Sequence, residues 1–423
     1  MNDIIELINL KEDDIEHCEL ISLPNCNQKL IDLKLKRKHI YCPSCNQDNL
    51  YIDSYRTRII KHPILKGINC KIRYACRRYK CKICGHTFYE NNPFVEQGIS
   101  YSKFTKLHIL ELLKEPKNTF KYIAQDSDLS ITTIINIFDN LGRIKRLTFP
   151  NIVCIDEYHD PSTGSGKYNC IFIDFCTHEV IDILPDRSKH YLMQYFRKIP
   201  KTELKNIKIV SIDMWEPYKD VINVFCPHAL VSVDSFHVVR HIIDAIDKVR
   251  LRIMRRYKRK DDEYYLLKKF HYLLKKNYDD LKYFEPSMNR RLKIYLNFQS
   301  TLNLILKVDD EIRKAYELKE LYHRFNSTST FDDASSWLGE IIYQFKQSLI
   351  PEFIEVARTL SNWKKEIINS FIYVDENKRI SNGPIESINS KIKLIIRNGN
   401  GYVNFNRERN RIMYCLNKTH IFI

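Results

Sequence analysis

Residues 151–156 read NIVCID and residues 206–213 read NIKIVSID, two apolar runs that each end on an aspartate. Runs of Val and Ile bounded by polar residues are typical of buried β-strands. Three further runs of this kind lie between the two aspartates and just beyond the second: YNCIFIDF, HEVIDILP and ALVSVD. The sequence therefore predicts a five-stranded sheet within residues 151–234.

The spacing of these runs predicts the order of the sheet. Short polar or Gly-containing gaps separate the first three strands, which indicates hairpins. The stretch SKHYLMQYFRKIP at 188–200 has helical spacing and precedes the fourth strand. An antiparallel three-strand meander followed by alternating helix and strand is the order of an RNase H-like α/β fold, in which the first and fourth strands are neighbours.

Three acids are candidates for a divalent-metal site. Asp156 and Asp213 end the first and fourth strands, where side chains project into the crevice in which α/β sheets bind ligands. Glu386, in SNGPIESINSKIKLIIR, stands in the first turn of a predicted helix that begins near Pro384. Taken singly, the aspartates read as loop caps and Glu386 as a helix-dipole partner. The basic residues of the same helix are placed for phosphate contacts: Lys391, Lys393 and Arg397.

A second candidate metal site lies near the N-terminus. Cys42-Pro-Ser-Cys45 and Cys81-Lys-Ile-Cys84 are two CxxC pairs, which together offer the four thiolates of a structural Zn²⁺ site. The residues between them read as the short strands of a zinc ribbon. Two alternatives remain: one ligand is replaced by Cys70, Cys76 or His86, or the site has lost its metal. Four thiolates leave no open position for water, so a catalytic zinc is not expected.

A helix-turn-helix motif is predicted after the ribbon. Residues 102–114 have helical spacing, and a short helix from about Thr119 is followed by a polar turn and a second helix capped by Ser130. In such a motif the second helix enters the major groove, so Thr132, Thr133 and Asn136 would face bases. Asp128 stands where the turn usually holds glycine. An ordinary helical hairpin without DNA contacts is the alternative.

Composition indicates a globular protein with a polyanionic partner. The 423 residues carry 68 Lys and Arg against 52 Asp and Glu, a net charge of +16, with 44% hydrophobic residues, which excludes a disordered chain. The excess is concentrated in residues 31–90, 248–276 and 378–411. Interleaved aromatic residues favour nucleic acid over merely solvated helix faces. The acidic N-terminus, the absence of a long apolar run and 13 scattered cysteines predict a cytoplasmic protein with reduced thiols.

Nearly the whole chain resembles the bacterial insertion-sequence transposases of the DDE type known as the ISL-three (ISL3) family. The motifs that carry the resemblance are CPSC, CKICGHTF, the IDE at the end of the first strand, SIDMWEPY, FCPHALVSVDSFHVVRH and NGPIESINSKIK. The resemblance implies Asp156, Asp213 and Glu386 as the metal-binding triad and an all-helical insertion between the second and third acids. Asp234 and His237 match family positions, either as active-site groups or as structural supports.

The function implied is DNA transposition. Two Mg²⁺ or Mn²⁺ ions held by the triad would serve strand cleavage and then strand transfer, without a covalent protein–DNA intermediate. The expected partners are double-stranded DNA, both terminal inverted repeats and target, and a second copy of the chain, because two ends are cut together. Bound to DNA, the protein would be nucleoid-associated. The alternatives are a non-catalytic, zinc-dependent DNA-binding regulator derived from a transposase and a structure-selective nuclease.

These inferences predict a multidomain α+β chain. An acidic leader and zinc-ribbon domain occupies 1–95, and a helix-turn-helix domain occupies 96–148. The RNase H-like catalytic core is formed by 149–239 and 381–423. The all-helical insertion occupies 240–380.

Overall fold

The structure is a computed structural model that describes residues 8, 10–22, 28–65, 68–95, 98–160, 167–281, 285–375, 378–399 and 402–417. The chain divides into two compact units. The first unit comprises residues 1–145 and 390–423, and the second comprises residues 146–389. The four predicted domains do not coincide with these two units, and the domain boundaries stay predictions.

The first unit contains a five-stranded mixed sheet. Its strands are β1 (Ile15–Ser22), β2 (Gln28–Leu35), β3 (Leu50–Leu65), β4 (Ile68–Cys81) and β5 (Thr87–Tyr89). The order is β1-β2-β4-β3, with β5 also paired to β4, and β2 runs parallel to β4. Alternate residues such as Ile31, Leu33, Ile72 and Tyr74 fill one core. This alternation continues along β4 from Cys70 to Cys76, and β3 pairs with β4 from Leu50 to Leu65. Both strands are therefore longer than the short ribbon strands expected.

Three helices follow this sheet: α1 (Lys103–Leu112), α2 (Phe120–Asp126) and α3 (Ile131–Asp139). Each is preceded by a capping residue whose hydroxyl accepts a hydrogen bond from the backbone amide three residues later: Ser102, Thr119 and Ser130. The predicted cap at Ser130 is confirmed. Ala124, Ile134 and Phe138 are buried between the helices, whereas Leu129 is half-buried.

Asp128 adopts the conformation for which glycine is usually needed in the turn between α2 and α3. Its φ of +51° lies in the left-handed region, which Asp tolerates better than most other residues. Its carboxylate pairs with Lys61 of β3 at 3.1 Å and with Lys71 of β4 at 3.2 Å. The carboxylate of Asp128, which glycine would lack, therefore connects the turn to the sheet of the same unit.

The last described helix, α16 (Phe405–Leu416), packs within the first unit. Arg411 donates to the carbonyl oxygens of Glu115 and Asn118 at 3.0 and 2.9 Å, and Arg407 pairs with Asp139 of α3 at 2.6 Å. The two Arg411 hydrogen bonds satisfy carbonyls in the loop that follows α1. Residues 405–416, which the predicted division assigned to the catalytic core, thus contact residues 115–139.

The second unit is built on a sheet in the order β10-β9-β6-β7-β8. Its strands are β6 (Ile152–His159), β7 (Tyr168–Asp174), β8 (Val180–Leu184), β9 (Ile209–Ile212) and β10 (Leu230–Val233). The first three form antiparallel pairs, and β9 runs parallel to both β6 and β10. The five predicted strands and the adjacency of the first and fourth are therefore confirmed.

One boundary in this sheet differs from the sequence prediction. Asp156 was expected to end its strand, but β6 continues to His159 because the β6–β7 hairpin stays paired through His159 and Tyr168. The pairing of β6 with β9 ends earlier, at Cys154. Asp156 therefore lies where β6 emerges beyond the end of β9.

The helices of the second unit cover the sheet and form the insertion. Those within and after the sheet are α4 (Lys189–Arg197), α5 (Lys201–Leu204), α6 (Glu216–Phe225) and α7 (Ser235–Met254). The remaining helices are α8 (Asp262–Lys269), α9 (His271–Lys275), α10 (Phe298–Leu306), α11 (Asp310–Thr328), α12 (Phe331–Gln347), α13 (Pro351–Asn362) and α14 (Lys364–Asn369). Helix α15 (Gly383–Asn398) crosses the division between the units.

The insertion is not entirely helical. Two short antiparallel hairpins interrupt it, β11 (Ser287–Asn289) with β12 (Ile294–Leu296) and β13 (Tyr373–Asp375) with β14 (Lys378–Arg379). These strands have only two or three residues each, which is too short for an alternating pattern to be recognised within the helical spacing of 240–380. The prediction of an all-helical insertion is corrected accordingly.

None of the twelve cysteines in the described ranges forms a disulfide. Within the same ranges, no helix combines the length and the apolar character needed to cross a membrane.

Candidate metal centres

The register of two parallel strands brings Asp156 and Asp213 together. Cys154 of β6 pairs with Ser211 of β9, and both side chains are fully buried. Each aspartate follows its paired residue by two positions, and residues two apart on a strand share a face. The two carboxylates therefore lie side by side where β9 ends.

A third acid, Glu157, joins this pair. One carboxylate oxygen from each of Asp156, Glu157 and Asp213 lies within 4.8 Å of the other two, a spacing that allows one cation to be shared. Sequence reasoning did not assign Glu157 a role, although it is the E of the IDE motif. The only available signal was its place beside Asp156.

Glu157 differs from the two aspartates because its charge is already balanced. It forms an ion pair with Arg187 and accepts a 3.2 Å hydrogen bond from the Tyr218 hydroxyl. The Arg187 guanidinium lies 4.5 Å from the ring centre of Trp215 and 4.4 Å from that of Tyr168. Trp215 and Tyr218 belong to the SIDMWEPY motif, which also contains Asp213. The motif therefore provides the ring that contacts Arg187 and the hydroxyl that donates to Glu157.

The two aspartates form a site with excess negative charge. Burial, together with the neighbouring carboxylates, raises the pKa of Asp156 and of Asp213 to about 7. Asp213 Oδ1 is buried and accepts no hydrogen bond from the described part of the chain. A hard divalent cation prefers carboxylate oxygens and would satisfy both the orphaned atom and the charge. The residues present therefore fit Mg²⁺ or Mn²⁺.

The segment before α15 crosses the same face of the sheet. The Ser211 hydroxyl donates to Asn382 Oδ1 at 2.6 Å, and the backbone amide of Asn382 donates to Asp234 Oδ1 at 3.4 Å. The Cys154 thiol donates to the carbonyl oxygen of Ser381 at 3.9 Å. Because Cys154 and Ser211 immediately precede the acids on this face, these contacts bring the start of α15 to the acidic pair.

Helix α15 contacts Asp156 through Asn389. The side-chain amide of Asn389 donates to Asp156 Oδ2 at 2.9 Å. Glu386 precedes Asn389 by three residues, so the two share one face of the helix. Glu386 is exposed. Among the described residues, it does not belong to the group of acids whose oxygens lie within 4.8 Å of one another. Asn389 lies within the motif NGPIESINSKIK, but no local signal in the sequence indicates a role for it.

Asp234 and His237 lie at the start of α7. Asp234 is 4% exposed and precedes the first residue of the helix. It adds to the negative potential at Asp156 and holds the Asn382 amide. His237 is half-buried, and its ring meets that of Phe236 edge to face at 5.7 Å.

The four predicted zinc ligands meet in the first unit. Cys42 Sγ lies 3.6 Å from Cys84 Sγ, and Cys45 Sγ lies 3.6 Å from Cys81 Sγ. Four sulfur atoms about 2.3 Å from one Zn²⁺ would be roughly 3.8 Å apart, so the thiols fit a tetrahedral site. The alternative ligands Cys70 and Cys76 lie instead in the hydrophobic core of the sheet.

The two CxxC turns share one backbone design. In each, the residue after the second cysteine has a left-handed φ: Asn46 at +57° and Gly85 at +73°. The Asn46 amide donates to Cys42 O at 2.8 Å, and the Gly85 amide donates to Cys81 O at 3.0 Å. A backbone hydrogen bond from Cys84 helps to lower the pKa of Cys81 to about 7, which favours the thiolate that zinc requires.

The predicted DNA-contacting side chains lie on α3 and α15. Thr132 and Asn136 are exposed, whereas the Thr133 hydroxyl is 2.8 Å from Ser130 Oγ at the helix cap. On α15 the basic residues placed for phosphates are all exposed: Lys391, Lys393 and Arg397.

Comparison with known proteins finds transposases. The family model for the ISL3 group of DDE proteins, described as "Transposase", matches residues 153–412, more than half of the chain. The chain is 23% identical over 237 residues to the transposase for insertion sequence element IS1001 of Bordetella parapertussis. That alignment covers 56% of this chain and 54% of the relative, so the chain spans about half the length of that protein.

A second relative is aligned over more of its length. The chain is 25% identical over 340 residues to the transposase for insertion sequence element IS1557 of Mycobacterium tuberculosis strain CDC 1551 / Oshkosh. The alignment covers 75% of this chain and 69% of the relative. The transposase of the same element in strain H37Rv matches equally.

Proposed function

This chain belongs to the ISL3 family of DDE transposases, and on that premise we propose that it binds the ends of an insertion sequence and catalyses DNA strand cleavage and strand transfer. The observation that carries the proposal is the pairing of Asp156 with Asp213 beyond the end of β9, with an orphaned carboxylate oxygen on Asp213. The strand order and the two acids support an RNase H-like catalytic core.

Asp156, Asp213 and Glu386 are the residues that would hold two Mg²⁺ or Mn²⁺ ions. Bound there, the ions would supply Lewis-acid activation of the nucleophile and stabilisation of the leaving 3′ oxygen. Asp156 and Asp213 provide preformed ligands on one face of the sheet. Glu386 would reach the site from the helix face that also carries Asn389, and because its side chain is exposed, core packing does not restrict its rotamer.

Asn389 and Asn382 are positioning residues in this proposal. Asn389 fixes one oxygen of Asp156 by its 2.9 Å hydrogen bond, which leaves the other oxygen available to a metal ion. Asn382 ties the start of α15 to Ser211 of β9. The helix bearing Glu386 is thereby held against the strands that bear the aspartates.

The zinc-bearing unit is proposed to recognise the terminal inverted repeats. The four thiols would hold a structural Zn²⁺ that fixes the two CxxC turns. Helix α3 would enter the major groove with Thr132, Thr133 and Asn136 towards the bases, while the cations of α15 contact phosphates. Because two ends are cut together, a homodimer or higher oligomer is the expected active form.

The test is a strand-cleavage assay on DNA carrying the inverted repeats that flank the gene, with Mg²⁺ or Mn²⁺. We expect Asp156→Asn, Asp213→Asn and Glu386→Gln to abolish cleavage while end binding in a gel shift is retained. Asp220→Asn is the matched control, since Asp220 is an exposed acid of α6 paired with Lys189.

Three outcomes separate this proposal from its alternatives. Retained cleavage in Asp213→Asn would overturn the assignment of the acids. DNA binding without metal-dependent cleavage by the wild type would favour a regulator. Supplying pre-cleaved ends and finding no joined product would favour a nuclease over a transposase.

A further inference from the structure

A basic surface stands out in the helical insertion. It consists of the loop at 255–260 between α7 and α8 together with the β11–β12 hairpin, residues 287–296, and is called the hairpin patch below. None of the residues placed in the metal centres or on α3 and α15 belongs to it.

The hairpin patch has many cations and few acids to balance them. Six exposed side chains form no ion pair with the described part of the chain: Arg255, Lys258, Arg259, Lys260, Arg290 and Lys293. Of the acids that follow the loop, Asp261 accepts a 2.7 Å hydrogen bond from the Lys258 amide, and Asp262 pairs with Arg291 at 3.3 Å. The surface therefore attracts an anionic partner.

Arg291 holds the loop and the hairpin together. Its guanidinium donates to the carbonyl oxygens of Lys260 and Asp261 at 2.9 and 2.8 Å, and it lies 4.6 Å from the ring centre of Tyr265 on α8. Asn289 shapes the hairpin turn, since its Oδ1 accepts from the Arg291 and Leu292 amides at 3.2 Å. The cations of both segments are therefore parts of one surface.

The hairpin also exposes apolar side chains beside these cations. Met288 and Tyr295 are directly paired across the hairpin and are 50% and 68% exposed, and Ile294 is 43% exposed. Keeping such side chains in water is unfavourable, and an apolar group among cations is typical of surfaces that enter a DNA groove.

We propose that the hairpin patch is a second DNA-binding surface that holds duplex DNA independently of sequence. Its cations contact phosphates of both strands, and Met288 and Tyr295 contact sugars and base edges in the groove. The proposal rests on the proposed function for its role: this surface would hold target DNA while the zinc-bearing unit holds the element end. Lys and Arg on phosphates carry little sequence information, as a target surface requires.

The test measures binding of the full chain to a random-sequence duplex by fluorescence anisotropy across a salt series, without divalent metal. Removing one phosphate contact lowers the slope of log affinity against log salt by about 0.9. We expect K258Q/R290Q/K293Q to lower this slope by about 2 to 3. We expect M288A/Y295A to weaken binding about fivefold or more at an unchanged slope, because apolar contacts release no counterions.

The matched control is K346Q/R358Q/K365Q, which removes three exposed cations from α12, α13 and α14 and should leave the slope unchanged. An unchanged slope in K258Q/R290Q/K293Q would overturn the proposal. The proposal would also be overturned if the substitutions changed only the oligomeric mass measured by sedimentation, because the patch would then be a self-association surface. The measurement does not depend on cleavage. If the wild-type protein were catalytically inactive but the variant showed the slope change, the proposed function would be wrong and the proposed DNA-binding surface would stand.

Discussion

The side-chain amide of Asn389 donates a 2.9 Å hydrogen bond to the Asp156 carboxylate, across 233 residues of chain. Asn389 Oδ1 is buried and accepts no hydrogen bond from a described residue. A side-chain NH2 group that donates to a carboxylate holds that carboxylate in one orientation. This contact links the helix of Glu386 to the first strand of the sheet.

Removing the Asn389 amide should weaken divalent-metal binding. We expect Asn389→Ala to lower Mn²⁺ affinity about 10- to 100-fold, the usual cost of losing a group that orients a metal ligand. Calorimetric titration of Mn²⁺ measures this without DNA. Lys393→Ala, exposed on the same helix, is the control. Equal affinities in Asn389→Ala and wild type would mean that Asn389 only packs the helix.

The metal-free protein should lose stability as pH rises towards neutrality. The pKa of Asp156 and of Asp213 is raised by burial to about 7, whereas an unfolded Asp titrates near 4. Between these values the native chain holds protons that the unfolded chain has released, so the free energy of unfolding falls as pH increases. Thermal melts in EDTA at several pH values measure the effect.

The double variant D156N/D213N provides the check on that pH dependence. It should flatten the dependence and, near pH 8, raise the free energy of unfolding by about 1 to 3 kcal/mol, because two buried charges are removed. Mn²⁺ should stabilise the wild type but not this variant. A double variant whose melts follow pH as steeply as the wild type would show that other groups are responsible.

Loss of one thiol should remove zinc and loosen the first unit. We expect one bound Zn²⁺ per wild-type chain, and markedly less in Cys84→Ser, since three thiolates no longer close the tetrahedron. Elemental analysis and a thermal melt measure zinc content and stability. Cys176→Ser, which removes an exposed thiol outside the site, is the control. Equal zinc in both variants would argue against a zinc site made of the four cysteines.

The turn at Asp128 should respond to backbone conformation more than to charge. At a φ of +51°, Asp128→Ala should cost about 1 kcal/mol more than Asp128→Gly, because glycine adopts the left-handed region freely. Asp128→Asn should cost about 1 kcal/mol or less, since the carboxylate is 42% exposed and such ion pairs are weak. Urea denaturation of the three variants measures the order. Equal costs for Ala and Gly would show that strain is absent there.

Several elements of this fold could be predicted from local pattern alone. Val and Ile runs identified all five strands of the second unit's main sheet, and the cap at Ser130 and the two CxxC turns depend on neighbours in sequence. The end of β6 could not be predicted in this way. Its continuation to His159 depends on pairing with β7, whose register is set by side-chain packing across the hairpin.

The residues of the two candidate metal sites could be recognised in large part from the sequence, but their arrangement could not. Asp156, Asp213 and the four cysteines were recognisable because strand ends and CxxC spacing are local signals. Two contacts depend on segments that meet only in the folded chain. They are the ion pair of Glu157 with Arg187 and the hydrogen bond from Asn389 to Asp156. The same is true of α16, whose Arg411 satisfies carbonyls near residue 115.

By itself, the sequence determined which segments are strands, helices and cysteine-bearing turns, because burial periodicity and turn chemistry are properties of short stretches. It also determined the supply of acids, thiols and cations. Only the tertiary structure decided which of them meet. The parallel register of β6 and β9 placed two acids on one face, and packing brought Asn389 to them, because contacts between distant segments depend on the whole packed core rather than on any local pattern.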